Sequence, residues 1–479
     1  MKKGYVFASL FFLGGCTVGS DYHKPDLKLP TAWINAKEVL PSIAEDVSWW
    51  QNYNDPILTD LVKQTVQFNM DLKTAFARVR QARAFLAGSK ANLYPEFDSS
   101  GSLTHNKSSE NSQFYMGSAN NPSLPYYDLF TLGVATSWEL DLFGRLRRGE
   151  EEAQASFEAQ IHDTRGVIIS LIAEVAQSYI NLRSYQQQLK ITKRSYELWN
   201  SIYQLTQDLF KSGLAIESDV LQAKASRDAM KANLFPLEAK IKIEIHHLSI
   251  LVGQAPGTLY PLLSKPSPIP ETSLNIRAGL PSELLERRPD ICVAEQNLVA
   301  AHAHIGVVQG DLFPKFSLTG NFGYESNKGS NFFNSQSSTF GFGPSFTWPV
   351  LDFGRIRANI DSTTALRDEN FFKYKSVVLR ALEEVENALV NLSTEEKRYQ
   401  NLKRSFKAQK NAADIILTRF EAGQNDFLGV LQSEITAQTM KINMIQSKTT
   451  LLLNTIALYR ALGGGWKNLL PTSKGPKIS

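Results

Sequence analysis

One pattern appears in this chain twice, at a fixed distance. Trp138-Glu-Leu-Asp-Leu-Phe-Gly-Arg145 returns in altered form 210 positions later as Trp348-Pro-Val-Leu-Asp-Phe-Gly-Arg355. The same offset lays Asn181-Leu182 on Asn391-Leu392, Phe210-Lys-Ser-Gly213 on Phe420-Glu-Ala-Gly423, and Val220-Leu-Gln222 on Val430-Leu-Gln432. An offset that does not drift means two copies of one unit, and such a repeat decides the architecture before any single residue does. Each copy reads as helix, strand, strand, long helix, helix. That order suits a channel better than an enzyme.

Four segments are strands. Phe130, Leu132, Val134 and Trp138 oppose Thr131, Gly133, Ala135 and Ser137. Phe316, Leu318, Phe322 and Tyr324 oppose Ser317, Thr319, Asn321 and Gly323, and Phe340, Phe342, Phe346 and Trp348 oppose Gly341, Gly343, Ser345 and Thr347. The segment 97–105 alternates weakly and is assigned by its place in the repeat. Bulky apolar residues on one face and small or polar ones on the other describe a lipid-facing exterior and a wet interior; a soluble sheet with one covered face is the alternative. Pro344 cannot donate to a ladder, so a bulge or a missing bond is expected there. Membrane barrels have at least about eight strands. Four must therefore be completed by other copies, and a dimer would give eight, a trimer twelve.

The stretch 355–422 holds no Gly or Pro, and 150–212 holds only Gly166. Each reads as a helix of roughly 65 residues, about 95–100 Å long at ~1.5 Å per residue. Ile161, Ile168, Val175, Leu182, Leu189, Tyr196, Tyr203 and Phe210 recur every seventh position in the first. Phe371, Val378, Val385, Leu392, Tyr399, Phe406, Ala413 and Phe420 do so in the second. A seam held that long predicts coiled-coil packing. Gly213 and Gly423 end these helices as C-cap glycines do. Shorter helices follow over 217–251 and 427–462, and two more, over 57–91 and 281–311, lead into the strands. The segments are then 16–56, an extended tether; 57–255, the first repeat with its hairpin near 95–141; 256–281, a Pro- and Ser-rich linker; 282–466, the second repeat with its hairpin near 313–352; and 467–479, a tail.

Lys2 and Lys3, a short apolar run and Leu13-Gly-Gly-Cys16 make 1–15 a secretory signal. The run is too short to span a bilayer. The Leu-Gly-Gly-Cys sequence resembles a bacterial lipobox, which makes Cys16 the lipidated N-terminus. With Cys16 lipidated, Cys292 has no partner for a disulfide and is expected to be a small buried residue. A net charge of +4 over 479 residues implies no nucleic-acid partner. No later stretch is expected to have the length and apolarity of a transmembrane helix, so any span must be a barrel.

Several further pieces carry a family resemblance: Gly15-Cys16-Thr-Val-Gly-Ser-Asp-Tyr22 with Pro25, Trp49-Trp50, Leu251-Val-Gly-Gln-Ala-Pro-Gly257, Gly279-Leu-Pro-Ser-Glu-Leu-Leu-Glu-Arg-Arg-Pro-Asp290 and Ala461-Leu-Gly-Gly-Gly-Trp466. From Cys16 to about Trp466 the chain resembles the TolC-like outer-membrane factors, in their lipid-anchored NodT-type branch. Arg287-Arg288-Pro289-Asp290 followed by Ala294-Glu295 is the most specific of these pieces. The resemblance implies a homotrimer with a twelve-stranded outer-membrane β-barrel, four strands per chain, above a periplasmic α-helical barrel. It implies a periplasmic adaptor and an inner-membrane pump, commonly of the resistance-nodulation-division type, exporting drugs and other small toxic solutes. Thr17 after the cysteine favours the outer membrane by the same analogy.

In relatives the turns after the long helices form a periplasmic tip closed by acidic rings and salt bridges. Here they are Gly213-Leu-Ala-Ile-Glu217-Ser-Asp219 and Gly423-Gln-Asn425-Asp426-Phe427. Asp426 is the expected ring residue, with Arg419 as its partner, and Asn425 stands where the family often has its acid. The plain alternative for Asp426 is a helix N-cap. The sequence shows no cofactor or metal motif, since His246-His247 are adjacent and His302 and His304 are two apart, off a shared helix face. The acids of Glu150-Glu-Glu152 and of Glu383-Glu-Val-Glu386 are expected to be solvated. No catalysis is expected. An exit duct for an ABC exporter, and a structural envelope lipoprotein without a pore, are the alternatives.

Overall fold

A computed structural model describes residues 17–35, 48–107, 109, 126–272, 280–424 and 426–465. The signal, Cys16, Asn425 and the tail lie outside them. The described chain forms two compact units.

The first unit draws on Met1–Pro25, Arg80–Gln160 and Ala294–Tyr374. It holds one antiparallel sheet in the order β1 (Glu96–Lys107), β2 (Tyr126–Leu140), β3 (Lys315–Ser326), β4 (Ser338–Thr347). All four expected strands are present, and β2–β3 joins the two copies. The register passes through Leu318↔Pro344 without a bulge, so of the two expected outcomes only the missing N–H donor remains. Pro344 lies on an edge strand, where a residue can turn its ring nitrogen away from the ladder. Trp138 Nε1 donates to Leu93 O at 3.0 Å, and Trp348 Nε1 donates to Leu312 O at 3.0 Å. Each indole thus ties the end of its hairpin to the segment leading into it, once per copy.

The second unit draws on Asp26–Val79, Ile161–Val293 and Lys375–Ser479. The helices, some shared between the units by sequence, are α1 (Pro56–Phe68), α2 (Met70–Ala91), α3 (Arg145–Lys211), α4 (Glu217–Ala232), α5 (Leu234–Leu251), α6 (Tyr260–Leu263), α7 (Leu284–Arg287), α8 (Pro289–Gly310), α9 (Arg355–Glu421) and α10 (Phe427–Ala461). The long helices α3 and α9 contain 67 residues each and start and stop at repeat-equivalent positions. Asp141 and Asp352 accept backbone N–H groups at their starts, at 2.8–3.0 Å. The bonds from Ile356 N and Gly354 N hold the Asp352 carboxyl below its usual range.

Three expected helices are broken. Asn69 separates α1 from α2; its side chain accepts from Leu72 N and donates to Leu251 O. Pro236 offers no N–H to Ala232 and crowds its carbonyl, which divides 217–251 at Asn233. Pro289 forces Arg288 into an extended conformation, which divides 281–311. Nor is 16–56 wholly a tether: Trp49–Tyr53 is a 3-10 helix whose aromatic rings are buried. They join Leu58, Ile172, Tyr179, Leu248 and Ile456 in the core, and Trp49 stacks on Tyr459 at 5.2 Å.

The seam is real in the region where its helices pack. Ile168, Val175 and Leu182 are buried on α3, as are Val378, Val385, Leu392 and Ala413 on α9. Phe210, its last member on α3, is exposed. Much of α3 between Ile168 and Thr192 is buried beyond the seam. One described helix, Pro289–Gly310, is long and apolar enough by composition to cross a membrane, which corrects the sequence expectation. Its Asp290 and Glu295 carboxylates engage Arg288 and Lys24, and its His304 engages Glu152. These pairings mark it as a bundle helix.

Candidate functional site

The register gathers nearly all the bulky residues of the sheet on one face. Phe97, Leu103, Phe130, Leu132, Val134, Trp138, Phe316, Leu318, Phe322, Tyr324, Phe340, Phe342 and Phe346 share it, because partner residues in an antiparallel pair point the same way. The other face carries Asp98, Ser100, Ser102, Thr104, Thr131, Gly133, Thr319, Asn321, Gly341 and Gly343, with Tyr127 and Leu129 as its bulky exceptions near one end of β2. The pairing also explains the weak alternation of β1: Gly101 and Ser99 lie between Phe97 and Leu103 on the apolar face. Within one chain the apolar face is open; Phe342 is 84% exposed. The outer edges of β1 and β4 carry no partner strand among the described residues. Strands of 10–15 residues are long enough for the roughly 9–11 that a tilted membrane strand needs.

The second candidate region is the pair of turns after α3 and α9. Gly213 and Gly423 adopt left-handed backbones, with φ of 74° and 73°. The next residues close the helix ends: Leu214 N donates to Leu209 O, and Gln424 N to Arg419 O, both at 2.8 Å. This is a Schellman closure, formed twice. Leu417 and Phe420, in the last turns of α9, pack on a small buried cluster of Trp199, Ile202, Ala223 and Val430 that joins α3, α4 and α10. Glu217 and Asp219 lie in the first turn of α4, where acids suit the positive helix end. Asp426 caps α10 by accepting from Gly429 N at 2.9 Å. Arg419 stands in the last turn of α9. Among the described residues no ion pair joins it to Asp426 within one chain.

Sequence reasoning missed the burial of three arginines, Arg148, Arg183 and Arg288. Arg183 donates to Gln186 Oε1 and Lys265 O. Arg148, 6% exposed at its side chain, binds Asp21, Glu151 and the carbonyls of Val18 and Gly19. Arg288, 9% exposed, holds Asp290 in a two-pronged bond, with Glu384 at 2.8 Å and Ala461 O at 2.9 Å. Burial would lower the Arg288 pKa, but Asp290 and Glu384 more than offset it and raise it. Glu383 and Glu384 of the acid clusters are exposed, as expected, while the others also have partners. Glu150 faces Lys90, Glu151 faces Arg148, Glu152 faces His304, and Glu386 accepts from Ile34 N and Asn35 Nδ2 at 2.7 Å. Most of their partners lie far away in the chain, so no local pattern reveals them. Cys292 is half-buried rather than buried.

The chain matches the family described as Outer membrane efflux protein over residues 61–254 and 280–464. It belongs to that family. The two matched stretches fall on either side of the linker. The chain is 27% identical to Nodulation protein T of Rhizobium leguminosarum bv. trifolii over 95% of both chains. It is 29% identical to the probable efflux pump outer membrane protein TtgC of Pseudomonas putida KT2440, over 95% of this chain and 94% of that one. Among solved structures it resembles the outer-membrane channel OprN, at TM-score 0.86 and 34% identity over 94% of this chain and 100% of that one. It also resembles the CmeC outer membrane channel of Campylobacter jejuni, at TM-score 0.87 and 25% identity over 94% and 95%. Its place is the outer membrane, and its work is efflux through that membrane.

Proposed function

We propose that three copies of this chain close a twelve-stranded barrel in the outer membrane, above a helical barrel in the periplasm, and serve as the exit duct of a tripartite efflux pump. The observation that carries this reading is the four-stranded sheet, apolar on one face, polar on the other, and without a partner strand at either edge among the described residues. In water such a sheet would be an aggregation site; closed in lipid it is satisfied. The two repeats, 57–255 and 282–466, each supply one hairpin. The cargo is a small toxic compound, in keeping with relatives named for toluene and antibiotic efflux. A periplasmic adaptor and an inner-membrane pump of the resistance-nodulation-division type deliver it, and the duct itself does no catalysis. Cys16 carries the lipid anchor, a palmitate-labelled modification.

The tip is the closing device in this reading. Gly213 and Gly423 set the turns, and Glu217, Asp219, Asn425 and Asp426 gather carboxylates and amides where the three copies converge. Arg419 meets Asp426 of a neighbouring copy, since the cap bond from Gly429 uses only one carboxylate oxygen. A carboxylate ring there attracts cations. Crosslinking cells that express a tagged copy, followed by mass spectrometry of the co-purifying inner-membrane protein, tests the assignment. A resistance-nodulation-division pump with its adaptor is expected; an ABC exporter would move the duct to protein secretion.

A further inference from the structure

The β3–β4 loop carries a feature that pore and tip do not use. It is built from two 3-10 turns, Gly329–Asn331 and Ser335–Ser337. It is closed by its own polar groups: Asn334 N donates to Asn331 O, Ser337 N to Asn334 O, and Ser337 Oγ to Asn331 O, at 2.8–3.1 Å. A loop so tied is preformed. Yet at its tip stand two consecutive phenylalanines, and Phe333 is 73% exposed.

The direction of these rings is specific. Phe332 lies 6.1 Å from Phe130 and 6.3 Å from Tyr324, and Phe333 lies 5.8 Å from Tyr324. Phe130 and Tyr324 both belong to the apolar face. Gly329 brings the loop close, since a Cβ there would stand 3.4 Å from the Phe130 ring. The loop therefore folds onto the apolar side of the sheet, not over the polar side. At the same strand ends Lys107 sits over the Tyr126 ring at 5.5 Å, on the same face.

We propose that Phe332 and Phe333 anchor this loop in the headgroup boundary of the outer leaflet, with outer-membrane lipid as the occupant. The patch is continuous with the membrane face of the sheet, and aromatic rings favour that boundary because one end of the zone is apolar and the other wet. Lys107, at the same end and on the same face of the sheet, suits the phosphates of the headgroups. Anchored on the lipid side, the loop stays clear of the pore mouth. The proposal rests on the apolar face meeting lipid, and its test separates the two.

Nitroxide labels are placed on full-length protein carrying Cys292→Ser, singly at Phe333→Cys, Phe332→Cys, Phe322→Cys and Gln336→Cys. The protein is reconstituted in vesicles of phosphatidylethanolamine and lipopolysaccharide, and collisions with oxygen and with a water-soluble nickel chelate are compared. Oxygen is expected to dominate at Phe322, Phe332 and Phe333, and the nickel chelate at Gln336, which is exposed in the second turn of the loop. Nickel dominance at Phe332 and Phe333 with oxygen dominance at Phe322 overturns the anchor and leaves the barrel. Nickel dominance at all four overturns both.

Discussion

Replacing Arg288 by Ala should loosen the second unit where α8 begins and α10 ends. The guanidinium is 9% exposed and serves three groups: Asp290, Glu384 and the carbonyl of Ala461. Charge-assisted hydrogen bonds contribute about 1.5–3 kcal/mol each, but these do not simply add. Asp290 and Glu384 are 50% and 54% exposed at their side chains, so water replaces most of what they lose. The Ala461 carbonyl loses its buried donor, at a cost of about 1–3 kcal/mol, and the arginine stem leaves a gap. The net loss is about 2–4 kcal/mol, below the upper range for breaking a fully buried pair. Hydrogen exchange reads this locally. At ~1.4 kcal/mol per decade, amides near the end of α10 should exchange roughly 30- to 700-fold faster in detergent-purified protein. Glu384→Gln alone should change little, and adding it to Arg288→Ala should cost nothing further, because the pair shares one interaction. Arg288→Lys should recover less than half, since an ammonium cannot reach three divergent acceptors. Exchange within about threefold of the parent, under a loss of ~0.7 kcal/mol, would refute the reasoning.

Trp138→Phe should cost about 1 kcal/mol in urea unfolding, and Trp348→Phe less, because the first removes a part-buried indole–carbonyl bond and the second an exposed one; no loss at Trp138 would deny its bond a role in holding the hairpin. Asp426→Ala should lose an N-cap worth about 1 kcal/mol and also lower cation preference in a planar bilayer; unchanged selectivity would leave capping as its sole role. Burial raises the Glu244 pKa, against a bond from Ser178 and the charge of His247, so the folded protein binds its proton more tightly than the unfolded chain. Stability from this group is therefore greatest at low pH and falls as pH rises from the unfolded value through the folded one. Glu244→Gln should flatten that fall, and a steeper fall would contradict the sign. Cys16→Ser should abolish labelling by radioactive palmitate, while retained label would place the lipid elsewhere.

The features legible in sequence were those set by short-range periodicity or by the repeat. An alternation of two gave the sheet faces, since side chains of a strand point to alternate sides. The offset of 210 placed the ends of α3 and α9, down to the paired left-handed glycines. Helix breaks were harder. Pro236 and Pro289 stand in plain view, but propensity on either side is strong enough to carry a reading across them. Asn69 is harder still, because its break is stabilised by Leu251, a residue 182 positions away. The buried arginines share that difficulty. Nothing beside Arg148 or Glu386 in sequence announces Asp21 or Ile34, and only folding brings them together. At the tip, sequence found the turns and the cap. The proposed meeting of copies there rests on surfaces that no pattern within one chain marks.

Closure of the barrel is tested most directly at the edges of the sheet. With Cys292→Ser as background, Ser100→Cys on β1 is combined in turn with Gly341→Cys, Gly343→Cys or Ser345→Cys on β4, all on the polar face. The protein is then oxidised in outer-membrane fractions and separated without reductant. The account predicts that at least one pair yields a ladder ending at three linked chains, as a closed ring of three requires. A ladder ending at two chains, or no linkage for any pair, would contradict it.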